Sequence, residues 1–460
     1  MLKKSKKIIK KSVMKKTTKK SAKKDAPEKE PILLQPPRGM RDLLPEDQPY
    51  WEHIRRTLSR LSYEYGFQRI DVPLVEYANL FNRSIGSGTD IVEKEMYTFT
   101  TRGGDKVALR PEMTAGIARS YIQHGMNVLP KPVKLFSIGQ IYRYDRPQEG
   151  RYREHWQGNF DIFGEDNPIM DAHLIQLAHR VVTSLGIKNI QFQINSIGCS
   201  TCRKDYRNLL TSYFESRKQK LCQDCKRRLE INPLRILDCK EDKCAQVGLN
   251  APQTVDHLCP ECHSHFKNLL EYLDELNLPY IINNRLVRGL DYYTRTVFEI
   301  WVNDEGGKNY SLGGGGRYDK LIKMIGGEDT SAIGFGLGLD RIVIEMKRIN
   351  AKIHRIATPR VFLAQLGELA KKKSLNMFSE LEKNGIPVAE SFGRGSLKSQ
   401  LRVADKLKVE ITLIIGQKEA LDGTVIVKNM KTGSQETVTN EKIITAVKKI
   451  LKSDIIVSHA

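Results

Sequence analysis

A turn at residues 288–293 sets one cation (Arg288), one carboxylate (Asp291) and two adjacent phenols (Tyr292 and Tyr293) at the mouth of a predicted strand over residues 294–301. Charge and hydroxyls in that place suit a small polar ligand better than a packed core. The plainer alternative is an edge strand with a solvated arginine. Further arginines keep similar company. Arg143 stands near a strand end before the polar loop 145–153, Arg317 follows the glycine run 313–316, and Arg341 closes a second glycine-rich run where a helix should begin. Glycine lets a ligand approach the backbone closely, so both runs read as turns or bulges. A guanidinium grips phosphate through two parallel hydrogen bonds and stacks on a flat base. Together these residues point to a phosphate-bearing substrate beside a smaller polar one.

All eight cysteines fall between residues 199 and 262, as four close pairs: Cys199 and Cys202, Cys222 and Cys225, Cys239 and Cys244, Cys259 and Cys262. No secretion signal accompanies them, which makes disulfides the poorer reading. Nineteen residues separate the first two pairs, inside the range for four-thiolate zinc sites. Two thiolates on one turn can occupy two corners of a tetrahedron, and a second turn closes it. Eight thiols therefore allow two closed structural sites. An iron–sulfur cluster or unligated thiols are the alternatives, and His257, His263 and His265 read as surface residues rather than replacement ligands.

The elements that must hold these residues fall into blocks. The 460-residue chain carries a net charge of +21, of which twelve lysines in residues 1–24, with no acidic partner, supply +12. That tail is too polar to fold and reads as solvated or loosely RNA-binding; a mitochondrial transit peptide would favour arginine, and the tail has none. The remaining +9 suits a polyanionic partner. No apolar run reaches transmembrane length. A helix is predicted from about residue 45 or 47 to 65, with Trp51, Ile54, Leu58 and Leu61 on one face. A strand follows over 67–72, stopped by Pro73. Short strands over 96–99, 107–110, 133–144 and 155–163 suggest an antiparallel sheet, with a helix over 170–185 and a strand over 190–194. From 197 to 278 the texture becomes helical and cysteine-rich, an insertion after which strands resume at Tyr280. Residues 359–451 alternate strands and helices as a separate α/β domain.

With these motifs in place, the chain resembles the histidyl-tRNA synthetases, class II aminoacyl-tRNA synthetases, across nearly all of residues 38–455. Residues 47–73 are similar to motif 1, 136–163 to motif 2 and 334–341 to motif 3. Residues 288–293 and 314–319 match the two signatures peculiar to the histidine enzymes. The resemblance implies an α+β fold: an antiparallel sheet flanked by helices, a helical Cys-rich insertion and a C-terminal α/β anticodon-binding domain. It divides the chain into an extension (1–37), a catalytic domain in two parts (38–196 and 279–350), the insertion (197–278) and the anticodon-binding domain (359–455).

By matching positions, Glu112, Met113 and Thr114 with Gln157 should hold the substrate α-amino group. Asp161, Tyr292 and Tyr293 should embrace the imidazole, a specificity built on pairing both ring nitrogens. Many bacterial members have glycine at Met113 and glutamate at Asp161. Arg143 and Arg288 are implied to be catalytic on the α-phosphate. Arg341 is implied to bind the rest of the ATP, and Arg146, Gln148 and Arg151 to meet the tRNA acceptor end. The eight cysteines remain zinc candidates on spacing alone. The implied activity is ATP- and Mg²⁺-dependent ligation of L-histidine to tRNA(His) through a histidyl-adenylate, by a cytoplasmic homodimer. Two rival readings stand beside it. A nonenzymatic paralogue serving as a regulatory subunit should lack the C-terminal domain and lose signature residues. A proline or threonine synthetase conflicts with the Arg-Gly-Leu-Asp-Tyr-Tyr run.

Overall fold

The predicted first helix forms as Gln48–Glu64 in the computed structural model, with Trp51, Ile54, Leu58 and Leu61 fully buried. Their three- and four-residue spacing makes one apolar stripe. The helix is followed by Gly66 at φ +75°, a left-handed position glycine takes at little cost. The structure describes residues 34–86, 88–303, 309–353 and 358–457, so the lysine-rich tail lies outside the described residues. Two compact units divide the chain: the residues up to Leu44 with Ile54–Ala351, and residues 45–53 with Lys352 onward. Among the described residues no helix is long and apolar enough to cross a membrane.

The first unit is built on an eight-stranded sheet in the order Gln68–Arg69, Val133–Tyr142, Glu154–Phe163, Ala332–Gly338, Asn309–Arg317, Thr294–Asn303, Ile190–Ser196, Tyr280–Ile282. Its inner pairings are antiparallel, and the two outermost pairs are parallel. Helix Ile169–Ser184 buries Leu174, Leu177, Ala178 and Val181. The insertion supplies helices Ser200–Glu215, Gln223–Ile231, Asp242–Leu249 and Pro260–Glu275. The chain leaves the sheet after Ile190–Ser196 and returns in Tyr280–Ile282, which pairs with that same strand. The insertion shares its core with the sheet body: Tyr206, Leu210, Phe214 and Leu229 belong to one apolar cluster with Leu286, Val287, Tyr292 and Tyr293.

Three sequence expectations need correction. Neither glycine run is a turn. Residues 313–316 lie inside the strand Asn309–Arg317, and 334–338 inside Ala332–Gly338, side by side in the middle of the sheet. Residues 313–316 lack side chains and show no alternation, so periodicity missed them, whereas Ile333, Phe335 and Leu337 do alternate with Gly334, Gly336 and Gly338, a period-two signal read as a turn. The strand expected over 67–72 shrinks to the edge pair Gln68–Arg69. The strands near 96–99 and 107–110 do not join the main sheet; as Thr98–Thr100 and Lys106–Leu109 they form a separate sheet with Val75–Tyr77.

The second unit holds a five-stranded sheet in the order Val388–Glu390, Val361–Gln365, Ile411–Ile415, Thr424–Asn429, Gln435–Thr439. The first three are parallel, as the alternation predicted, and the last two add an antiparallel hairpin. Helices Glu368–Lys383 and Leu397–Lys406 follow the expected alternation, and Gln417–Asp422 is a short helix it missed.

Candidate functional site

The strand Glu154–Phe163 builds the centre of the site. Its period of two puts His155, Gln157, Asn159 and Asp161 on one face, and Trp156, Gly158, Phe160 and Ile162 on the other. Phe160 stacks on Phe335 with ring centroids 4.8 Å apart, anchoring the apolar face. The polar row borders a cleft of about 530 Å³. Gln157 Oε1, Asn159 Oδ1 and Asp161 Oδ2 are buried there without a hydrogen-bond partner among the described residues. Buried acceptors are nearly always paired, so three on one strand face describe a ligand carrying several N–H groups.

The glycines of Ala332–Gly338 keep that space open. A Cβ on Gly336 would stand 1.8 Å from Gln157 Nε2, and one on Gly334 would stand 2.5 Å from Asp161 Oδ1. Any side chain at either position would displace the acceptors.

Asp161 is fully buried. Its Oδ1 accepts from the Tyr318 hydroxyl at 2.5 Å and from Thr114 Oγ1 at 3.2 Å, which leaves Oδ2 for a ligand. Burial raises its pKa to about 7, with the Tyr318 hydrogen bond opposing the rise. Glu112 caps the helix Thr114–Gln123, accepting from the Thr114 N–H at 2.6 Å and the Ala115 N–H at 2.8 Å. Burial pushes its pKa up against those two hydrogen bonds. Tyr292 and Tyr293, 4.8 Å apart between ring centroids, close the cleft from the signature turn. Burial raises the pKa of both, so they stay neutral phenols able to donate.

Three guanidinium groups besides Arg151 line the same cleft. Arg143 is pinned by its Nε to the Pro111 carbonyl at 2.7 Å. Arg288 pairs with Glu299 through Nη1 and leaves a buried Nε without a partner among the described residues. Burial works against its charge, but Glu299 and Tyr293 outweigh it and its pKa rises. Arg341, in the first turn of helix Leu339–Arg348, donates from Nε to the Gly150 carbonyl at 3.0 Å and from Nη1 to that of Ser311 at 2.5 Å.

The structure thus brings Glu112, Thr114, Arg143, Gln157, Arg288, Tyr292, Tyr293 and Arg341 to one cleft, with Asp161 fully buried behind the lining, next along the strand face from Gln157 and Asn159. Arg151 also lines it and pairs with Asp145; Arg146 and Gln148 stand exposed on the same loop, away from the lining. Three sequence assignments are corrected. The Met113 side chain is fully buried in the apolar cluster and does not line the cleft, because helix Thr114–Gln123 turns that position inward. Arg317 is no phosphate ligand: it is fully buried against Asp171, Asp319 and the carbonyls of Glu165 and Asn167. Asp291 points away from the cleft to Asn232 of the insertion. Sequence reasoning missed Asn159, Tyr318 and His155. Alternation with Phe160 and Ile162 marked Asn159 and His155, whereas Tyr318 lay inside the 314–319 signature without being given a role. Burial and the neighbouring Arg143 lower the His155 pKa to about 3, so its ring is neutral.

All eight cysteines are free thiols. Cys199, Cys202, Cys259 and Cys262 form one group and Cys222, Cys225, Cys239 and Cys244 another, each with its sulfurs within 4.8 Å of one another. The pairing is nested, the first pair with the fourth and the second with the third, rather than the first with the second as their 19-residue spacing suggested. Sγ–Sγ separations of 3.5 Å (Cys199–Cys202), 3.8 Å (Cys202–Cys259) and 3.9 Å (Cys199–Cys259 and Cys222–Cys239) are far too long for disulfides. They match the edge of about 3.8 Å of a tetrahedron with zinc–sulfur bonds of about 2.3 Å.

A family model described as histidyl-tRNA synthetase matches residues 39–342, and another described as an anticodon binding domain matches residues 360–450. The chain is 48% identical over 417 residues to a histidine–tRNA ligase of Dehalococcoides mccartyi, covering 91% of this chain and all of that protein. It is 44% identical over 416 residues to one from Caldicellulosiruptor saccharolyticus, covering 90% of this chain and 99% of the relative. The solved apo structure of the Staphylococcus aureus histidyl-tRNA synthetase superimposes with a TM-score of 0.75 at 32% identity, over 90% of this chain and 99% of that one.

Proposed function

Since the chain belongs to the histidyl-tRNA synthetase family, we infer that it ligates L-histidine to tRNA(His), consuming ATP and releasing AMP and pyrophosphate. The carrying observation is the row of unpartnered acceptors Gln157, Asn159 and Asp161 facing two neutral phenols, beside three guanidinium groups. Histidine offers the matching donors, an ammonium and a ring N–H. Glu112, Thr114 and Gln157 take the ammonium. Asp161 Oδ2 accepts from one imidazole nitrogen, and Tyr293 meets the other with Tyr292 shaping the wall.

The substrate carboxylate then attacks the α-phosphorus of MgATP in line, and pyrophosphate departs. Charge gathers on the nonbridging oxygens, where Arg143 and Arg288 stabilise it, while Arg341 holds the rest of the nucleotide. No protein nucleophile is needed. The terminal ribose hydroxyl of the tRNA next attacks the adenylate carbonyl and AMP leaves.

In this reading residues 38–196 and 279–350 are the catalytic domain, 197–278 the insertion and 359–455 the anticodon-binding domain. The loop bearing Arg146, Gln148 and Arg151 meets the acceptor end. Each cysteine group holds a structural zinc, with no open coordination position for chemistry. A homodimer fits the exposed Tyr63, Leu74 and Val75, which flank the edge strand Gln68–Arg69 in sequence, and a cytoplasmic location follows from the family alone. The regulatory-subunit alternative is not favoured: the cleft keeps Glu112, Arg143, Gln157, Arg288, Tyr293 and Arg341, and the anticodon-domain match extends to residue 450. Amino-acid-dependent exchange of pyrophosphate into ATP tests the reading. Exchange should respond to histidine alone; equal exchange with any other amino acid overturns it.

A further inference from the structure

The nested cysteine groups sit against the signature turn from two sides. In the outer group, Cys199 is the N-cap of helix Ser200–Glu215 and Cys259 the N-cap of Pro260–Glu275; in the inner group, Cys222 caps Gln223–Ile231. A residue at the N-cap and one three positions on both face the positive end of the helix, which favours thiolates. Backbone N–H groups point at sulfur, Cys199 N to Cys202 Sγ at 3.2 Å and Cys222 N to Cys244 Sγ at 3.1 Å, the outer-sphere pattern of metal-bound thiolates. A cluster of several irons would push its thiolates further apart than these groups stand. The donor set and spacing fit single zinc ions.

Each group then reaches the turn that carries Arg288, Tyr292 and Tyr293. Next to Cys202, Arg203 donates from Nη1 and Nη2 to the Tyr293 carbonyl at 2.7 and 3.0 Å. Just before Cys199, Ile197 and Gly198 pair through their backbones with Arg295, which holds a left-handed φ of +47°. Between the two halves of the inner group, Asn232 donates to Asp291 Oδ1 at 3.0 Å. Arg228 and Arg235 both grip Asp90 at 2.8 Å, docking the same segment on the sheet body. Asp238 and Lys240, flanking Cys239, line the cleft itself.

We propose that the eight cysteines form two nested four-thiolate zinc centres that clamp the signature turn through Arg203 and Asn232, so that metal occupancy sets the affinity for the amino acid. This rests on the reading of that turn as the wall of the histidine pocket. Neither ion takes part in the reaction. Arg203 and Asn232 are positioning residues: they touch backbone and a carboxylate behind the pocket, never the substrate.

The test uses the full chain. Metal analysis of the purified protein should give two zinc ions per chain and no iron, one for each cysteine group. Stripping zinc with a mercurial and a chelator should speed hydrogen exchange in peptides spanning residues 286–295 while the second unit stays protected. Cys259→Ser should retain one zinc. Because that variant can fail to fold, Arg203→Met is the second arm. It should keep both zinc ions yet raise KM for histidine about tenfold, as expected for losing hydrogen bonds from a charged donor, with KM for ATP within about twofold. Less than one zinc per chain, a disulfide-linked mass, or zinc removal that leaves residues 286–295 equally protected would each overturn the proposal. An exchange assay that ignores histidine sinks the functional reading instead, leaving zinc count and loop protection untouched.

Discussion

Replacing Arg288 with alanine separates its electrostatic role from its structural one. The guanidinium lies on the glycine strand, 3.0 Å from where a Gly314 Cβ would stand, and pairs with Glu299 through one nitrogen. Removing it does not strand Glu299, which still accepts from Trp301 Nε1 at 3.0 Å. Both ion-pair partners keep about a fifth of their side-chain surface exposed, at 19% and 20%. With Glu299 still hydrogen-bonded and partly hydrated, the stability loss should be about 1–3 kcal/mol. The catalytic loss is larger, because a fixed donor aimed at developing charge contributes roughly 3–4 kcal/mol, or about a hundred- to a thousandfold in kcat. Histidine-dependent pyrophosphate exchange at saturating substrates should fall by that amount, with tRNA binding nearly unchanged. Arg288→Lys should recover part of the rate, since it keeps the charge but loses the two-pronged geometry. An exchange rate within about fivefold of the parent, or a loss traced wholly to unfolding, would refute the assignment.

Two further outcomes follow from buried groups. Asp161 titrates at about 7, above its ordinary 3.8, so the folded protein holds a proton there that the unfolded chain releases, and stability falls as pH rises between those values. Below about 7 the acid no longer accepts an imidazole N–H, so KM for histidine should rise as pH falls. Asp161→Asn should raise KM at pH 8 by about ten- to a hundredfold, for about 1.5–3 kcal/mol of a charged hydrogen bond. It should also lose the enzyme's share of the pH dependence, free histidine titrating alike in both assays; a variant with the parent's profile would sink the idea. Arg317→Met leaves Asp171 and Asp319 facing each other without their cation, which should cost about 3–5 kcal/mol in urea unfolding. A change under about 1 kcal/mol would return Arg317 to a role at the cleft.

What the sequence determined by itself was whatever lay in local spacing. The buried stripe Trp51, Ile54, Leu58 and Leu61 follows from a 3.6-residue period, and the β/α alternation of residues 361–415 from strand and helix signals that never compete. The cysteine pairs marked candidate metal ligands because two thiols on one turn is a local arrangement. Signatures named most of the cleft, and a period-two reading of residues 154–163 would have added His155 and Asn159. Only the tertiary structure decided the rest. Glycines carry no periodicity, and 313–316 became strand because sheet neighbours, with 2.4 Å between a Gly314 Cβ and the Phe298 carbonyl, exclude side chains. Arg317 and Asp291 bear the same charges as residues that face or border the cleft. Yet the register of the sheet turned Arg317 to Asp171, and the insertion drew Asp291 to Asn232. Which cysteines share a site was settled by helices that meet 60 residues apart in the chain. A pattern along the chain states what a residue can do; only packing states what it faces.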